Sequence, residues 1–129
     1  MPVQYSIDRA RRIVFTTWNG KVSFEQLRAY LHDLSTDPGF DPSFDQLIDL
    51  SEAAEIQLNY DTLMAIREVD PFSAESKRAM VAPGDVAYGL GRMYEALKGG
   101  GFTVFRDMET AAAWLELETR RAKGSGTSG

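Results

Sequence analysis

The sequence predicts a single α/β domain, in which a mixed, mostly parallel sheet starts with an antiparallel hairpin and carries packed helices. Three observations favour this class. Two alternating segments separated by a short turn open the chain, strand and helix patterns then alternate three times, and 129 residues suit one self-contained core. Because connections that contain a helix join parallel strands, we expect the later strands to be parallel.

The first elements are predicted to be two strands and a helix. Residues 5–7 and 13–17 alternate between apolar and more polar side chains, and the segment between them is short enough for a hairpin turn. We expect Gly20 to end the second strand. Ser23 and Gln26 form a capping-box pattern, which predicts the start of a helix. The apolar residues at helical spacing on its inner face are Phe24, Leu27, Leu31 and Leu34.

The next strand and helix surround the stretch that we expect to carry function. The strand is predicted at residues 46–50 and leads into Ser51, and Asn59 is predicted to cap a helix that residues 70–71 end. Ligands and partners gather at the carboxyl ends of strands in doubly wound sheets. We therefore expect functional residues between this strand and this helix. The inward residues of the helix are predicted to be Tyr60, Leu63, Met64 and Ile66.

Two further strand and helix pairs complete the pattern. A strand is predicted at residues 77–82, and the helix that follows Gly84 is predicted to end at the glycines of residues 99–101. The last strand is predicted at residues 102–105, and Asp107 is predicted to cap the last helix. The predicted inward residues are Val86, Leu90, Met93 and Leu97 in the first helix, and Met108, Ala111, Ala112 and Leu115 in the second.

Composition and charge restrict the classes of function. The net charge of −5 would repel phosphate backbones and anionic lipid, so we expect no binding to nucleic acid. No apolar run is long enough to span a bilayer and the amino end lacks a signal-peptide pattern, so we expect a cytoplasmic protein without stable membrane insertion. The domain is predicted at residues 1–121, and residues 122–129, rich in Gly and Ser, are predicted to form a flexible tail.

Metal and cofactor sites are not predicted. The chain has no Cys, and its only His, His32, is expected to face solvent beside no ligand at metal-binding spacing. Gly89 and Gly91 lie too late in their helix for a dinucleotide-binding turn, so we expect no cofactor and interpret both as sites of close packing on the sheet or on a neighbouring subunit. No glycine-flanked elbow surrounds Ser51, so we expect no serine catalysis and no enzyme.

The candidate partner-binding or ligand-binding residues at the predicted strand end are Asp49 and Ser51, followed by Asn59 and Tyr60 at the helix start. A carboxylate and a hydroxyl there could meet the free backbone amides of the helix. The structural alternative, which turn chemistry favours, is that Asp49 and Ser51 only close the loop by Asx-type and Ser hydrogen bonds.

A second group of candidates lies at the helix after residue 83. Gly84 precedes free amides that could receive an anion. Tyr88, Arg92 and Glu95 form a stripe at helical spacing. This stripe is interpreted either as a solvated face with an Arg–Glu pair or as a contact surface, because Tyr and Arg are enriched in interface hot spots.

These elements, in this order, resemble a STAS domain of the SpoIIAA-like branch over residues 3–118. In the anti-sigma factor antagonists of that family, Ile56 would be followed by an Asp, two Ser and a Gly, and the second Ser accepts phosphate from a kinase. Here residues 57–60 read Gln-Leu-Asn-Tyr. Asn59 has no hydroxyl, so we expect no phosphorylation switch at this place. The resemblance rests on Leu47 to Ser51, Ile56, the helix from Asn59, Met80 to Ala82, Val104 to Asp107 and Ala111 to Leu115.

The resemblance implies two competing functions. The first is a non-catalytic regulatory or protein-interaction module, whose contacts include the candidates named above and which is compatible with a homodimer. The second follows from a related branch that resembles lipid-binding CRAL-TRIO domains. It implies a carrier of a small apolar ligand, in a pocket lined from the helices that contain Leu63 and Met93.

Overall fold

Five strands and four helices form the part of the chain that the computed structural model describes, residues 2–117. The strands lie side by side in chain order, and only the first two are antiparallel, as predicted. The predicted domain end and the tail at 122–129 lie outside these residues. The strands are β1 (Val3–Asp8), β2 (Ile13–Ser23), β3 (Asp45–Gln57), β4 (Arg78–Val81) and β5 (Phe102–Phe105), and the helices are α1 (Phe24–Ser35), α2 (Tyr60–Val69), α3 (Asp85–Lys98) and α4 (Met108–Leu115).

Three helices cover one face of the sheet and one helix covers part of the other. Each crossover from β2 onwards advances in the same direction across the sheet, and right-handed connections then place α1, α2 and α3 on one face. The main core lies between these helices and the sheet. On the opposite face, Ala111 and Leu115 of α4 pack against Ile13, Leu47 and Val81.

The predicted helix starts are confirmed. Ser23 accepts from Gln26 N and the Gln26 side chain accepts from Ser23 N, so the capping box of α1 is complete. Asn59 caps α2 and Asp107 caps α4 through their side-chain oxygens. The end of α3 is also as predicted, because Gly99 adopts the left-handed conformation with a φ of 79°.

The predicted ends of β2 and β3 are wrong. Gly20 lies within β2, and β3 continues through Ser51 to Gln57. Past the residues of β3 that pair with β4, β2 and β3 continue together as a two-stranded parallel ribbon. The register between these two strands shifts twice. Only residues 46–49 of β3 pair with β4. Sequence patterns missed this extension because residues 51–57 are mostly exposed and their polarity resembles that of a loop.

The predicted inner face of α3 is also wrong in part. Val86 is 72% exposed and Met93 is 38% exposed, whereas Ala87, Gly91 and Tyr94 are buried. The helix is turned by one residue, which brings its smallest side chains against the sheet. A Cβ on residue 91 would lie 2.7 Å from Val104 Cγ2, so only Gly permits this approach. At residue 89 a Cβ would meet no atom within 4 Å apart from the helix's own backbone, so of the two predicted kinds of close packing, packing on the sheet does not occur there.

Two other residues that were predicted to point inward face solvent. Tyr60 is 52% exposed and Met108 is 38% exposed. Both are the first residue of their helix, whereas the buried residues of each helix begin three positions later. Leu63 and Ile66 of α2, and Ala111 and Leu115 of α4, are buried as predicted.

Candidate functional site

The predicted pair at the strand end forms a local hydrogen-bonded turn. Asp49 Oδ1 accepts from Ser51 N at 2.9 Å and from Ser51 Oγ at 2.6 Å. Asp49 shares a sheet face with Leu47, which contacts α4, so it points away from the face that carries α2. The Asx-type and Ser hydrogen bonds of the structural alternative are thus present, but the two residues lie within β3 and close no loop.

The start of α2 is occupied by its own cap. Asn59 Oδ1 accepts from Thr62 N at 2.9 Å, and Thr62 Oγ1 accepts from Asn59 N at 2.8 Å. These two bonds satisfy two of the backbone amides at the helix start, those of Asn59 and Thr62. Tyr60 next to the cap is half exposed and stays a candidate for contact with a partner.

At the start of α3, an Arg that the sequence did not single out joins the predicted stripe. Arg106 Nη1 donates to Asp85 Oδ1 at 2.8 Å and to Pro83 O at 3.1 Å, and its guanidinium lies 4.0 Å from the ring centre of Tyr88. The predicted pair of Arg92 with Glu95 is present at 3.5 Å. Asp85 and Arg106 thus form an ion pair beside the amides that follow Gly84, which could receive an anion.

The seven candidates thus fall into three separate groups. Within residues 2–117, the described hydrogen bonds and ion pairs connect members of one group and never two groups. Asn59 and Arg92 have local structural partners, and neither belongs to a buried polar cluster. The seven are Asp49, Ser51, Asn59, Tyr60, Gly84, Tyr88 and Arg92.

A cavity of about 50 Å³ lies between the sheet and the helices α1, α2 and α3, where the second of the two competing functions implied a pocket. Its walls are largely apolar, and it receives side chains from every strand after β1. The helices that carry Leu63 and Met93 both line it, as expected, although Met93 itself is 38% exposed. Representative apolar wall residues are Leu31, Leu50, Leu63, Met80, Ala87 and Leu90.

One end of the cavity is a buried ionic cluster. Arg78 Nη1 donates to Asp70 Oδ2 at 2.6 Å, and Tyr94 OH donates to the same oxygen at 2.6 Å. Lys98 Nζ lies 3.6 Å from it. Burial opposes ionisation of Asp70, but the attraction of Arg78, the hydrogen bonds and Lys98 outweigh burial and hold the pKa of Asp70 below its ordinary value. The Asp70 carboxylate is therefore ionised at neutral pH.

The ionic cluster continues into a chain of neutral polar groups. Arg78 Nε donates to Gln46 Oε1 at 3.0 Å, and Gln46 Nε2 donates to Thr16 Oγ1 and Tyr30 OH. Gln46, Tyr30 and Arg78 all line the cavity. Burial raises the pKa of Tyr30 to about 12. The phenol is consequently neutral and protonated at any physiological pH.

Trp18 on β2 completes the cavity wall. Its side chain is 5% exposed, and its Nε1 is buried without a hydrogen-bond partner among residues 2–117.

The sequence did carry a signal for part of this site. Arg78 is a charged residue in a short strand whose neighbours Ala79, Met80 and Val81 are apolar, and such a residue is buried only when it has a partner.

Metal binding and membrane insertion receive no positive indication. Among residues 2–117, no cluster of three or more His, Cys, Asp or Glu side chains is placed to hold a metal ion. His32 is exposed on α1, as predicted. None of the described helices has the length and apolar character needed to cross a membrane.

Comparison with known proteins identifies the fold. No protein-family model matches the chain, and no curated protein matches it. A solved structure that does match is an uncharacterized protein of the DUF3478 family from Shewanella loihica PV-4, which has a SpoIIAA-like fold. The TM-score is 0.58 at 22% identity, with 88% of this chain and 93% of that chain covered. The chain therefore has a SpoIIAA-like fold, as its sequence pattern predicted.

Proposed function

We propose that this domain is a non-catalytic binding module that holds a small, largely apolar ligand between its sheet and helices. The observation that supports the proposal is the cavity itself, which combines apolar walls with a few convergent polar groups. Small-molecule sites have this composition. The SpoIIAA-like fold is compatible with a binding module. The similarity of this chain to the solved structure concerns the fold alone.

The size of the cavity limits the ligand. At about 50 Å³, it is roughly one third of an engineered cavity of about 150 Å³ that binds benzene. A ligand of more than a few atoms therefore requires displacement of wall residues. Met80 is an unbranched side chain that adapts its shape easily, and α2 packs between α1 and α3. We expect movement of these parts to admit the ligand.

The titratable groups of the cavity favour binding over catalysis. A general acid or base works best when its pKa lies near the pH of the reaction. Asp70 has a lowered pKa, whereas Tyr30 and Tyr94 have raised ones. None of the three changes its protonation near neutral pH. Their role in the proposal is to orient a ligand and to hold the cavity open at one end.

Native mass spectrometry tests the proposal. Protein purified from cells without denaturation is expected to retain a bound small molecule, and Ala87→Leu is expected to abolish retention because it fills the cavity. Val86→Leu is the matched control, since the adjacent residue is 72% exposed. Circular dichroism and thermal melting check that both variants fold. Absence of a retained mass, together with no thermal stabilisation by any apolar probe, would contradict the proposal.

A second candidate function is protein interaction, and one specific observation favours it. Residues 51–57 of β3 extend beyond β4, so within the described chain this edge of the strand has no neighbour. Such an edge can accept an extended segment from a partner or from a second copy of the chain. Exposed Tyr60 follows in sequence, and Tyr88 with Arg92 offers another surface.

The free edge can be blocked with little damage to the fold. Ala54 has no partner in β2, because the register passes from Ala53 directly to Glu55. We expect Ala54→Pro to remove an amide donor of this bulge and to lower partner capture or dimerisation, with Ala54→Ser as the control. Pull-down and sedimentation velocity measure the two outcomes. Equal behaviour of both variants would count against this candidate.

A further inference from the structure

The cavity wall holds a hydrogen-bond donor that has no acceptor. Trp18 Nε1 is buried and unpartnered within residues 2–117, and an indole N–H only donates. Native proteins rarely leave such a donor without a partner. Trp18 is a wall residue of the cavity, so a bound molecule whose acceptor reached Nε1 would complete its hydrogen bonding.

A second spare donor comes from the hydroxyl pair of Thr16 and Tyr30. Their oxygens lie 2.8 Å apart, and Gln46 Nε2 donates to both. Two hydroxyl groups carry two protons, and only one proton lies between the two oxygens. The other has no acceptor among the described residues. When Thr16 donates to Tyr30, the spare proton is on the phenol, which lines the cavity.

The polar acceptors of the cavity wall are already in use. Gln46 Oε1 accepts from Arg78 Nε, and the Asp70 carboxylate accepts from Arg78, from Tyr94 and from Phe72 N. The Asp70 charge is also balanced by its cationic neighbours. The cavity thus offers spare donors, occupied acceptors and compensated charge. An unpaired carboxylate or ammonium would be unfavourable in such surroundings.

From this imbalance we infer that the cavity selects a neutral carbonyl compound, such as a ketone or an ester, whose oxygen accepts from Trp18 Nε1 and from the Tyr30 hydroxyl. The inference rests on the proposed ligand-binding function and adds the chemical class of the ligand. A ligand with a donor but no acceptor would leave both wall donors unpaired.

Two probes of nearly equal shape test this class. Cyclopentanone carries a carbonyl oxygen, and methylenecyclopentane replaces that oxygen with a methylene group. Trp18→Phe is expected to weaken cyclopentanone binding roughly threefold to tenfold, the usual effect of one hydrogen bond. Binding of methylenecyclopentane should change much less. Trp114→Phe is the control, because Trp114 packs against Phe105 on the opposite face of the sheet.

An NMR measurement on the unaltered chain keeps the test independent of variant folding. The chain has two Trp residues, so an amide correlation spectrum contains two indole signals, and Trp114→Phe assigns them. Cyclopentanone is expected to move the Trp18 indole proton downfield and to leave that of Trp114 in place. Methylenecyclopentane should not produce the downfield shift, since it offers no oxygen.

The outcomes separate this inference from the proposed function. If both probes bind and Trp18→Phe weakens them equally, the domain binds apolar ligands but does not select a carbonyl group. A Trp18 indole proton that is already hydrogen-bonded to a buried water in the ligand-free protein would also overturn the inference. If neither probe binds although native mass spectrometry shows a retained small molecule, the inference about a carbonyl group is wrong while the proposed function stands. If neither probe binds, no mass is retained and no apolar probe stabilises the protein, both are wrong.

Discussion

Arg78 and Asp70 form an ion pair of 2.6 Å in which both side chains are almost fully buried, with exposures of 6% and 1%. Asp70 ends α2, and Arg78 begins β4 eight residues later. The guanidinium also lies 4.3 Å from the ring centre of Phe72, in the loop between them. The pair therefore ties this loop to the sheet and closes one end of the cavity.

Removal of one partner should be strongly destabilising. Asp70→Ala leaves the Arg78 charge buried beside Lys98 without an anion, and we expect a loss of about 3–5 kcal/mol in the free energy of unfolding. Urea titration measures it. Glu25→Ala is the control, because it breaks an exposed pair with Arg28, and such pairs contribute about 0–1 kcal/mol. Similar losses in both variants would contradict the assigned role of Asp70.

The same carboxylate should make stability depend on pH. Its pKa in the folded protein lies below the ordinary value of 3.8, so the unfolded chain binds the proton more tightly. The contribution of the Asp70 charge to the free energy of unfolding is complete at pH values above that ordinary value. It is lost as the pH falls through the pKa of Asp70 in the folded protein. We expect the stability difference between the unaltered chain and Asp70→Asn to be largest at neutral pH and to shrink in acid. A difference that stays constant from neutral pH to acid would refute this.

The cap of α2 should contribute to stability without deciding the fold. Asn59→Ala removes the acceptor for Thr62 N and should cost about 1 kcal/mol, as lost caps usually do. Asn59→Asp keeps an acceptor oxygen and should cost little. Arg92→Ala, on an exposed helix face, should leave the denaturation midpoint almost unchanged. Chemical denaturation of the three variants measures these changes. A large loss of stability in Arg92→Ala would show that Arg92 has a structural role.

Two glycines of α3 should respond in opposite directions. Gly91→Ala places a methyl group 2.7 Å from Val104 Cγ2 and 3.0 Å from Met80 Sδ, so we expect overpacking to cost about 1–3 kcal/mol. Gly89→Ala meets no atom within 4 Å and should stabilise the protein by up to about 1 kcal/mol through helix propensity. Thermal melting compares them. Equal changes in melting temperature would contradict the packing seen at residue 91.

The sequence by itself determined the order of the elements and most of their ends. Capping at Ser23, Asn59 and Asp107 depends on hydrogen bonds between residues three positions apart, so it can be read locally. The left-handed turn at Gly99 is local for the same reason. The parallel orientation of the strands could be predicted because each strand from β3 onwards is preceded by a helix.

Only the tertiary structure decided what depends on neighbours distant in sequence. The extension of β3 beyond Ser51 exists because β2 pairs with it, and the rotation of α3 follows from contact between Gly91 and Val104. The candidate site depends still more on such contacts, since Asp70, Arg78 and Tyr94 belong to different elements. Periodicity reports which side chains face a core, but it does not report which of them meet there. The polar groups of the cavity wall and the unpartnered Trp18 donor therefore appeared only once the helices were placed on the sheet.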